Sequence, residues 1–254
     1  MISVDEYLLS DGRYQGIYHL HSGYKKVLNF VNENRAIVSV VNASISRGPA
    51  RIQLDEDIDF LTTNKYEALR ICERNLHISD EAIPYELWKA KSLKLSFHYD
   101  KVQCVIAYLG KRLQQQEQEL FDSHSKVDQL IVETIKTNLK QGQLESLLGF
   151  GMGLTPLGDD CIFGYLFGMN LFDTSIPDIY SIAKEKTTLI SSEFLYHMNQ
   201  QSISDALYKL GKCLFVDEKN VDDYISEILH YGSSSGYGIL LGLKNYLERR
   251  SQNV

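Results

Sequence analysis

Residues 149–160 read GFGMGLTPLGDD and run directly into the apolar stretch CIFGYLFG, residues 161–168. Alternating glycines let a backbone adopt positive φ and bring its N–H groups close to a ligand. Consecutive N–H groups in such a turn form a concave anion site. We therefore predict a glycine-rich loop that leads into a helix, with Asp159 or Asp160 capping that helix. Gly164 and Gly168, four residues apart, would share one helix face and let another backbone approach closely.

The two adjacent carboxylates at the mouth of this loop are unexpected in an anion site, because they repel a bare phosphate. They make sense if one caps the helix while the other holds Mg²⁺, binds a cationic or amide group, or accepts a proton. A tight structural turn with two capping aspartates is the alternative. A nucleotide P-loop is excluded, since no Gly-Lys-Ser/Thr follows and residues 141–183 contain no basic residue. The pair Gly151 and Gly153 is a weak dinucleotide signal, because the preceding segment Leu144–Leu148 has a helical pattern.

A second glycine segment, GSSSGYGILLG at residues 232–242, also runs from a loop into an apolar helix. Its Gly238 and Gly242 are again four residues apart. Two helices with small-residue faces can pack closely, and their N-terminal loops would then converge. We expect backbone donors of both loops, with the hydroxyls of Ser233, Ser234 and Ser235, to surround one anionic group.

The charge balance argues against a general binder of nucleic acid or of acidic membranes. The chain of 254 residues has 26 Lys and Arg against 33 Asp and Glu, a net charge of −7. The longest nearly apolar stretch, Cys161–Phe172, is too short to cross a bilayer, and no basic region followed by an apolar run marks a signal peptide at the start. Four cysteines without a CxxC pair indicate reduced thiols and a cytoplasmic protein.

The first third of the chain has the pattern of short, closely spaced strands. Alternating or β-branched runs occupy Tyr14–His21, Lys26–Val31, Ala36–Val41 and Arg51–Leu54. Such spacing is typical of an antiparallel sheet or a small barrel. We therefore expect residues 1–100 to form a β-rich part.

The remainder of the chain has the pattern of helices. Val102–Phe121 is amphipathic, and Ser125 can cap the next helix with Asp128 nearby. The chain is therefore expected to be an α+β protein in one compact unit, with residues 101–254 as a helical part that carries the glycine-rich loops. Later helices are predicted near 178–199, 203–214, 221–231 and 237–249.

The pattern G-x-G-x-G-L-T-P-x-G-D-D-x-x-x-G at residues 149–164 resembles the signature of the AllH-like family. That family includes a subunit assigned to the oxamate carbamoyltransferase of anaerobic allantoin degradation, a route of purine catabolism. Gly48-Pro49-x-x-Ile52 is similar to the family's N-terminal Gly-Pro element, Trp88 stands where a lone Trp is expected, and residues 232–242 match its C-terminal glycine/serine motif. The resemblance extends over most of the chain.

This sequence departs from the family pattern at two positions. The family often has His after the first glycine of the C-terminal motif and Asp two residues after the last glycine of its Ser-Gly pair. Here those positions are Ser233 and Gly238. If those side chains touch substrate in relatives, the departure implies a different substrate or a loss of activity.

The resemblance implies carbamoyl transfer, in a complex with partner subunits. Transfer from carbamoyl phosphate needs a phosphate cradle, a polarised carbonyl and a base for the acceptor nitrogen. Asp159 or Asp160 could be the catalytic base or a metal ligand. An acceptor such as oxamate carries a carboxylate that suits an arginine, for which Arg47 and Arg51 are candidates or else solvated surface residues. The expected substrate-binding residues are Gly149, Gly151, Gly153, Leu154, Thr155, Gly158, Ser233, Ser234, Ser235, Gly236 and Arg47.

The leading prediction is thus a carbamoyltransferase-like subunit that binds a small anionic metabolite or carbamoyl phosphate. One alternative is a Mg²⁺-dependent enzyme that uses a nucleotide phosphate, because Gly-Asp-Asp beside a glycine loop can hold metal. Another is a non-catalytic ligand-binding or assembly subunit whose chemistry lies on a partner.

Other side chains have weaker claims to a function. His19 and His21 could share a strand face as a metal pair would, but no third ligand is evident nearby. Cys161 starts an apolar helix, which favours structural burial. Four hydroxyl residues could line a pocket from a helix or lie on the surface: Thr187, Thr188, Ser191 and Ser192.

Overall fold

The computed structural model describes residues 2–62, 66, 68–72, 75–79, 81–89, 93–122, 124–217 and 220–253. The chain divides into two compact units. The first comprises Met1–Lys91 with Ser202–Asp205, and the second comprises Ser92–Gln201 with Ala206–Val254. The first unit is built on a sheet and the second on helices, so the predicted α+β class with a β-rich N-terminal part is confirmed. That the whole chain forms one compact unit stays a prediction.

The N-terminal unit contains one curled sheet, with nine strands in the described ranges. The strands are β1 (Ile2–Asp5), β2 (Gly16–Tyr24), β3 (Val27–Asn32), β4 (Ile37–Val41), β5 (Arg51–Gln53), β6 (Ala68–Cys72), β7 (Asn75–Ile78), β8 (Glu81–Ala82) and β9 (Tyr85–Trp88). They lie in the order β8-β7-β6-β2-β3-β4-β5-β1-β9. Neighbours are antiparallel except for the parallel pairs β4–β5 and β1–β9.

The core of this unit forms where the predicted strands are most apolar. Every residue of β4 is buried, as its β-branched composition predicts. The predicted alternating run at Tyr14–His21 corresponds to β2, which begins two residues later because Tyr14 ends a short 3-10 turn. Asp5 joins the first strand to the Gly-Pro element, since its Oδ2 accepts a hydrogen bond from the Ala50 N–H at 2.9 Å.

The second unit holds nearly all of the helical structure. Its helices are α2 (Tyr99–Leu120), α3 (Lys126–Gln141), α4 (Leu157–Leu171), α5 (Tyr180–Lys186), α6 (Leu189–Asn199), α7 (Asp205–Lys212), α8 (Val221–Leu229) and α9 (Ser235–Gln252), while α1 (Tyr7–Ser10) belongs to the first unit. A 3-10 turn spans Leu144–Leu147, and a π-helical turn spans Cys213–Asp217. No helix in the described ranges is both long and apolar enough to cross a membrane.

Two of the helix predictions can be compared in detail with the structure. Ser125 caps α3 as expected, and its side chain accepts a hydrogen bond from the Asp128 N–H. The single helix predicted near 178–199 is wrong, because the chain breaks into α5 and α6 at Thr187 and Thr188. Thr188 has an extended backbone and caps α6 with its hydroxyl, which explains why the helix restarts there.

Helices α4 and α9 approach each other through their glycines. A Cβ built on Gly164 would lie 1.9 Å from the Ile239 carbonyl oxygen, and one on Gly242 would lie 1.9 Å from the Cys161 carbonyl oxygen. Any side chain at either position would therefore push the two backbones apart. The close packing expected from the two glycine pairs is confirmed, and it brings the N-terminal ends of the two helices together.

Candidate functional site

The loop of residues 149–155, here called the glycine loop, needs glycine for two separate reasons. Gly149, Gly151 and Gly153 have φ of 72°, 115° and 101°, a region that residues with a side chain rarely adopt. Space is also restricted, since a Cβ on Gly149 would lie 2.4 Å from the Lys186 carbonyl oxygen. Gly158, in the first turn of α4, packs equally tightly, with 2.2 Å from its Cβ position to the Leu147 carbonyl oxygen.

The glycine loop presents a run of free N–H donors. The amides that flank the run are engaged: Phe150 donates to the Leu147 carbonyl at 3.0 Å and Gly158 donates to the Phe150 carbonyl at 2.8 Å. Within the described part of the chain, the amides of residues 151–155 donate to no protein acceptor. The tip of the loop faces solvent, with Met152 93% exposed. Free amides just before the N-terminus of α4 suit an anion.

Asp159 holds the glycine loop against the first turn of α4. Its side chain is 2% exposed, its Oδ1 accepts the Gly149 N–H at 2.8 Å, and its Oδ2 accepts the Thr187 hydroxyl. Burial raises the pKa of Asp159, and the hydrogen bonds from Thr187 and Gly149 partly offset this. The predicted capping role is wrong for both aspartates, because α4 begins after Pro156 without a side-chain cap and the two carboxylates lie in its first turn.

Asp160 has a different environment from its neighbour. It is 6% exposed, and its buried Oδ2 has no hydrogen-bond partner among the residues that the structure describes. Burial raises the pKa of Asp160 well above its usual range; the hydroxyls of Ser235 and Thr155 offset this in part, and the charge of Asp159 adds to it. The two adjacent aspartates are therefore chemically distinct, one saturated with hydrogen bonds and the other with a free oxygen.

The two glycine segments meet through their hydroxyls. Thr155 Oγ1 and Ser235 Oγ lie 2.9 Å apart, which confirms the predicted convergence of the two loops. Ser234 precedes α9 without capping it by its side chain, and Ser233 is exposed. Gly236 packs against the end of α8, with its Cβ position 1.9 Å from the Ile228 carbonyl oxygen. Of the three serines in the second segment, Ser235 is the one whose hydroxyl meets a described residue of the first.

The threonines before α6 form a contact that the sequence left open. The Thr187 hydroxyl binds Asp159, and the Thr188 hydroxyl donates to the Leu154 carbonyl oxygen. The same Thr188 oxygen accepts the Ser191 N–H at 3.1 Å. These residues tie the glycine loop to the chain between α5 and α6. A Thr directly before an apolar run is the sequence signal for this cap.

Ser191 adds a second unpartnered polar atom near the carboxylates. Its side chain is 2% exposed, and its Oγ has no hydrogen-bond partner in the described ranges. It lies near enough to Asp159 to lower the pKa of that carboxyl. Buried polar groups without partners are uncommon in folded proteins, so the free Oδ2 of Asp160 indicates a place where a ligand or water completes the bonding.

The arginine candidates belong to the N-terminal unit. Arg47 pairs with Glu86 at 2.9 Å and donates to the Gln53 side chain at 3.3 Å. Arg51 donates to the Ser46 carbonyl oxygen at 2.8 Å. Both guanidinium groups thus have partners within their own unit, and a role for Arg47 toward a substrate stays a prediction.

Metal ligation and thiol chemistry receive little support. Among the described residues, no group of three or more His, Cys, Asp or Glu side chains could hold a metal ion. His19 and His21 are both exposed on β2. Asp159 has both oxygens engaged, so the acidic pair offers a single free oxygen to Mg²⁺. Cys161 is fully buried as expected, and burial raises the pKa of its thiol well above its usual value, which disfavours the reactive thiolate.

Two cavities lie elsewhere in the helical unit. One of about 490 Å³ is lined by α2, α3 and α9 near Lys140 and Arg249. The other, of about 200 Å³, lies beside the start of α2 near Lys94 and Phe215. Neither is lined by residues of the glycine loop, which is an open surface feature with buried carboxylates beneath it.

The comparisons with known proteins found a family model that matches part of the chain. Residues 147–247 match the family model described as oxamate carbamoyltransferase subunit AllH. The comparison with curated proteins and that with solved structures gave no match. The Gly48-Pro49 element and Trp88 lie outside the matched range, so their likeness to the family stays a prediction. The resemblance to the AllH family is confirmed for residues 147–247, the stretch that carries both glycine segments and the two threonines before α6.

Proposed function

We propose that the glycine loop binds carbamoyl phosphate, or a similarly small anionic metabolite, and that the chain serves a carbamoyltransferase through this site. The family match supports a carbamoyltransferase-associated subunit. Binding of a small anion at the glycine loop is supported by the run of free amides at residues 151–155 and by the unpartnered Oδ2 of Asp160.

The amides supply the attraction for the anionic end of the ligand. Neither glycine segment contains Lys or Arg, so backbone dipoles take the place of charged side chains there. A helix N-terminus carries a partial positive charge of roughly half a unit, and α4 begins directly after the loop. The hydroxyls of Thr155 and Ser235, 2.9 Å apart, share one hydrogen bond, which leaves one O–H of the pair to donate to a phosphate or carboxylate oxygen.

Asp160 supplies the group that a plain phosphate site would not have. Its free oxygen can accept a hydrogen bond from the –NH₂ of a carbamoyl group, which orients the carbonyl carbon toward an acceptor. In the transfer itself, the acceptor nitrogen bonds to that carbon, and the carbon–oxygen bond to phosphate breaks. The phosphate leaves with the electron pair, and the nitrogen's proton passes to the Asp160 carboxylate. A carboxyl whose pKa is raised by burial is suited to take and return a proton near neutral pH.

Asp159 is assigned a positioning role in this scheme. Both of its oxygens hold other parts of the site, the Gly149 amide and the Thr187 hydroxyl. Losing it would loosen the loop without removing the free carboxylate. The two aspartates therefore differ in what their substitution does.

A ligand screen on the purified chain tests the proposal. Thermal unfolding is followed with carbamoyl phosphate, oxamate, inorganic phosphate, and ATP with and without Mg²⁺. A ligand at 100 times its Kd stabilises the folded state by about 2.7 kcal/mol, a readily measured rise in Tm. We expect carbamoyl phosphate to raise Tm; a rise with ATP that requires Mg²⁺, and none with carbamoyl phosphate, would favour the nucleotide-using alternative.

An assay of carbamoyl transfer by the same purified chain, with and without a partner subunit, distinguishes a catalytic role from a binding role. A chain that binds carbamoyl phosphate but transfers the carbamoyl group only after a partner subunit is added acts as a binding subunit. This outcome would agree with the subunit description of the matching family. A chain that carbamoylates oxamate alone carries the catalytic groups itself. A chain that stays folded and binds none of these compounds would contradict the proposed ligand class.

A further inference from the structure

The glycine loop has a cationic neighbour that the linear sequence hides. Lys186, the last residue of α5, is 31 residues beyond Thr155 in the chain. In the fold its carbonyl oxygen lies 2.4 Å from the Cβ position of Gly149. The backbone of a lysine thus lies beside the first glycine of a loop whose own segment contains no Lys or Arg.

The position of Lys186 is fixed by the two residues that follow it. The Thr187 hydroxyl binds Asp159 and the Thr188 hydroxyl binds the Leu154 carbonyl oxygen, so the chain is tied to the loop at successive residues. A lysine side chain places its ammonium about 6 Å from its Cα. The backbone of Lys186 is held beside Gly149, at the start of the glycine loop.

The ammonium group of Lys186 is available for a ligand. The side chain is exposed, and it takes part in no ion pair or hydrogen bond with any residue that the structure describes. Several other cations of the helical unit are engaged, such as Lys136 with Glu117 and Lys244 with Glu248. A free ammonium at this point would offset the repulsion that Asp159 and Asp160 exert on an approaching anion.

We propose that Lys186 is a further binding residue of this site, whose ammonium contacts the phosphate or carboxylate group held by the amides of residues 151–155. The inference rests on the proposed function. It has a second support in the unpartnered and buried Oδ2 of Asp160, which points to a ligand beside the glycine loop. The ligand would bridge the two, its anionic end on Lys186 and the loop amides and its N–H donors on Asp160.

The test compares Lys186→Gln, Lys186→Arg and the control Lys184→Gln. Lys184 is an exposed lysine on the same short helix, about 200° around its axis from Lys186. Binding of carbamoyl phosphate and of inorganic phosphate is measured by calorimetry at low and high ionic strength. We expect Lys186→Gln to raise Kd about tenfold and to weaken its salt dependence. Lys186→Arg should restore most of the affinity, and Lys184→Gln should leave it unchanged.

Each alternative outcome has a defined meaning. Unchanged affinity in Lys186→Gln, or an equal loss in Lys184→Gln, overturns the assignment of Lys186 while leaving the loop site standing. No binding by the folded wild-type chain overturns the proposed function and this inference together. Circular dichroism of each variant confirms that it is folded, which is expected because both lysines are exposed.

Discussion

Asp159 Oδ1 accepts a hydrogen bond of 2.8 Å from the amide of Gly149, ten residues earlier in the chain. This bond closes the glycine loop on the first turn of α4. The adjacent Asp160 keeps one buried oxygen without a partner among the described residues. A pair of neighbouring carboxylates thus divides into one that holds the loop and one that is free to meet a ligand.

The first prediction concerns stability. Asp159→Asn should lower the free energy of unfolding by about 1–3 kcal/mol, because both hydrogen bonds lose their charged acceptor and the Thr187 hydroxyl must turn its proton away to accept from the new NH₂ group. Asp160→Asn should cost much less, since Oδ2 makes no hydrogen bond to lose and the remaining amide oxygen can still meet the hydroxyls of Ser235 and Thr155. Urea unfolding of both variants checks this, and equal losses would argue against the division of roles.

The second prediction concerns pH. Burial raises the pKa of Asp160 in the folded state above its ordinary value of 3.8. At pH values between the ordinary pKa and the raised one, the folded chain therefore binds more protons than the unfolded chain. Stability contributed by this group is therefore present below the ordinary pKa and is lost as pH rises through the raised value. Compared with the wild type, Asp160→Asn should gain stability as pH rises. Parallel stability curves for the two proteins between about pH 4 and about pH 8 would contradict the raised pKa.

A third prediction tests the approach of α4 and α9. Gly164→Ala should destabilise the chain by about 3 kcal/mol, because the new methyl group would meet the Ile239 backbone, which cannot move aside cheaply. Gly110→Ala in α2 is the matched control. There the methyl group meets only the flexible end of Lys244 at 3.3 Å, and the better helix propensity of alanine adds up to about 1 kcal/mol. Similar Tm values for the two variants would count against close backbone packing.

The fourth prediction concerns the threonine that fastens the loop. Thr187→Val keeps the shape of the side chain but removes the donor to Asp159, which leaves a buried carboxylate oxygen unsatisfied. We expect a loss of about 1–3 kcal/mol and weaker binding of carbamoyl phosphate. Thr137→Val, at an exposed position of α3, should change neither quantity. Calorimetry and thermal unfolding measure both effects, and a Thr187→Val variant as stable as the control would remove Thr187 from the site.

Local patterns in the sequence were sufficient for much of the helical unit. The step from a glycine-rich loop into a helix, and the glycine pairs at Gly164 and Gly242, depend on backbone sterics that act within a few residues. The buried strand β4 was equally visible, because a continuous β-branched run has few alternatives. The strands β1 and β6–β9 were not identified, since they are short and derive their stability from partners distant in sequence.

The parts of the site that the sequence does not predict depend on contacts between residues that are far apart in the chain. Thr187 and Lys186 become neighbours of the glycine loop only when α5 and α6 fold back against it, and no spacing rule reveals this. The capping role predicted for Asp159 failed for a local reason, because Pro156 takes the position before the helix and leaves the carboxylates inside the first turn. The distinction between Asp159 and Asp160 likewise appears only in their hydrogen bonds.

The proposed function depends on binding of a small anion by the free amides of residues 151–155. This binding can be observed by titrating the ¹⁵N-labelled chain with carbamoyl phosphate and following the amide chemical shifts. We predict that the largest saturable shifts are those of Gly151, Gly153 and Thr155, and that Asp160→Asn weakens them. Saturable shifts confined to other parts of the chain, or none at ligand concentrations in the millimolar range, would contradict the claim.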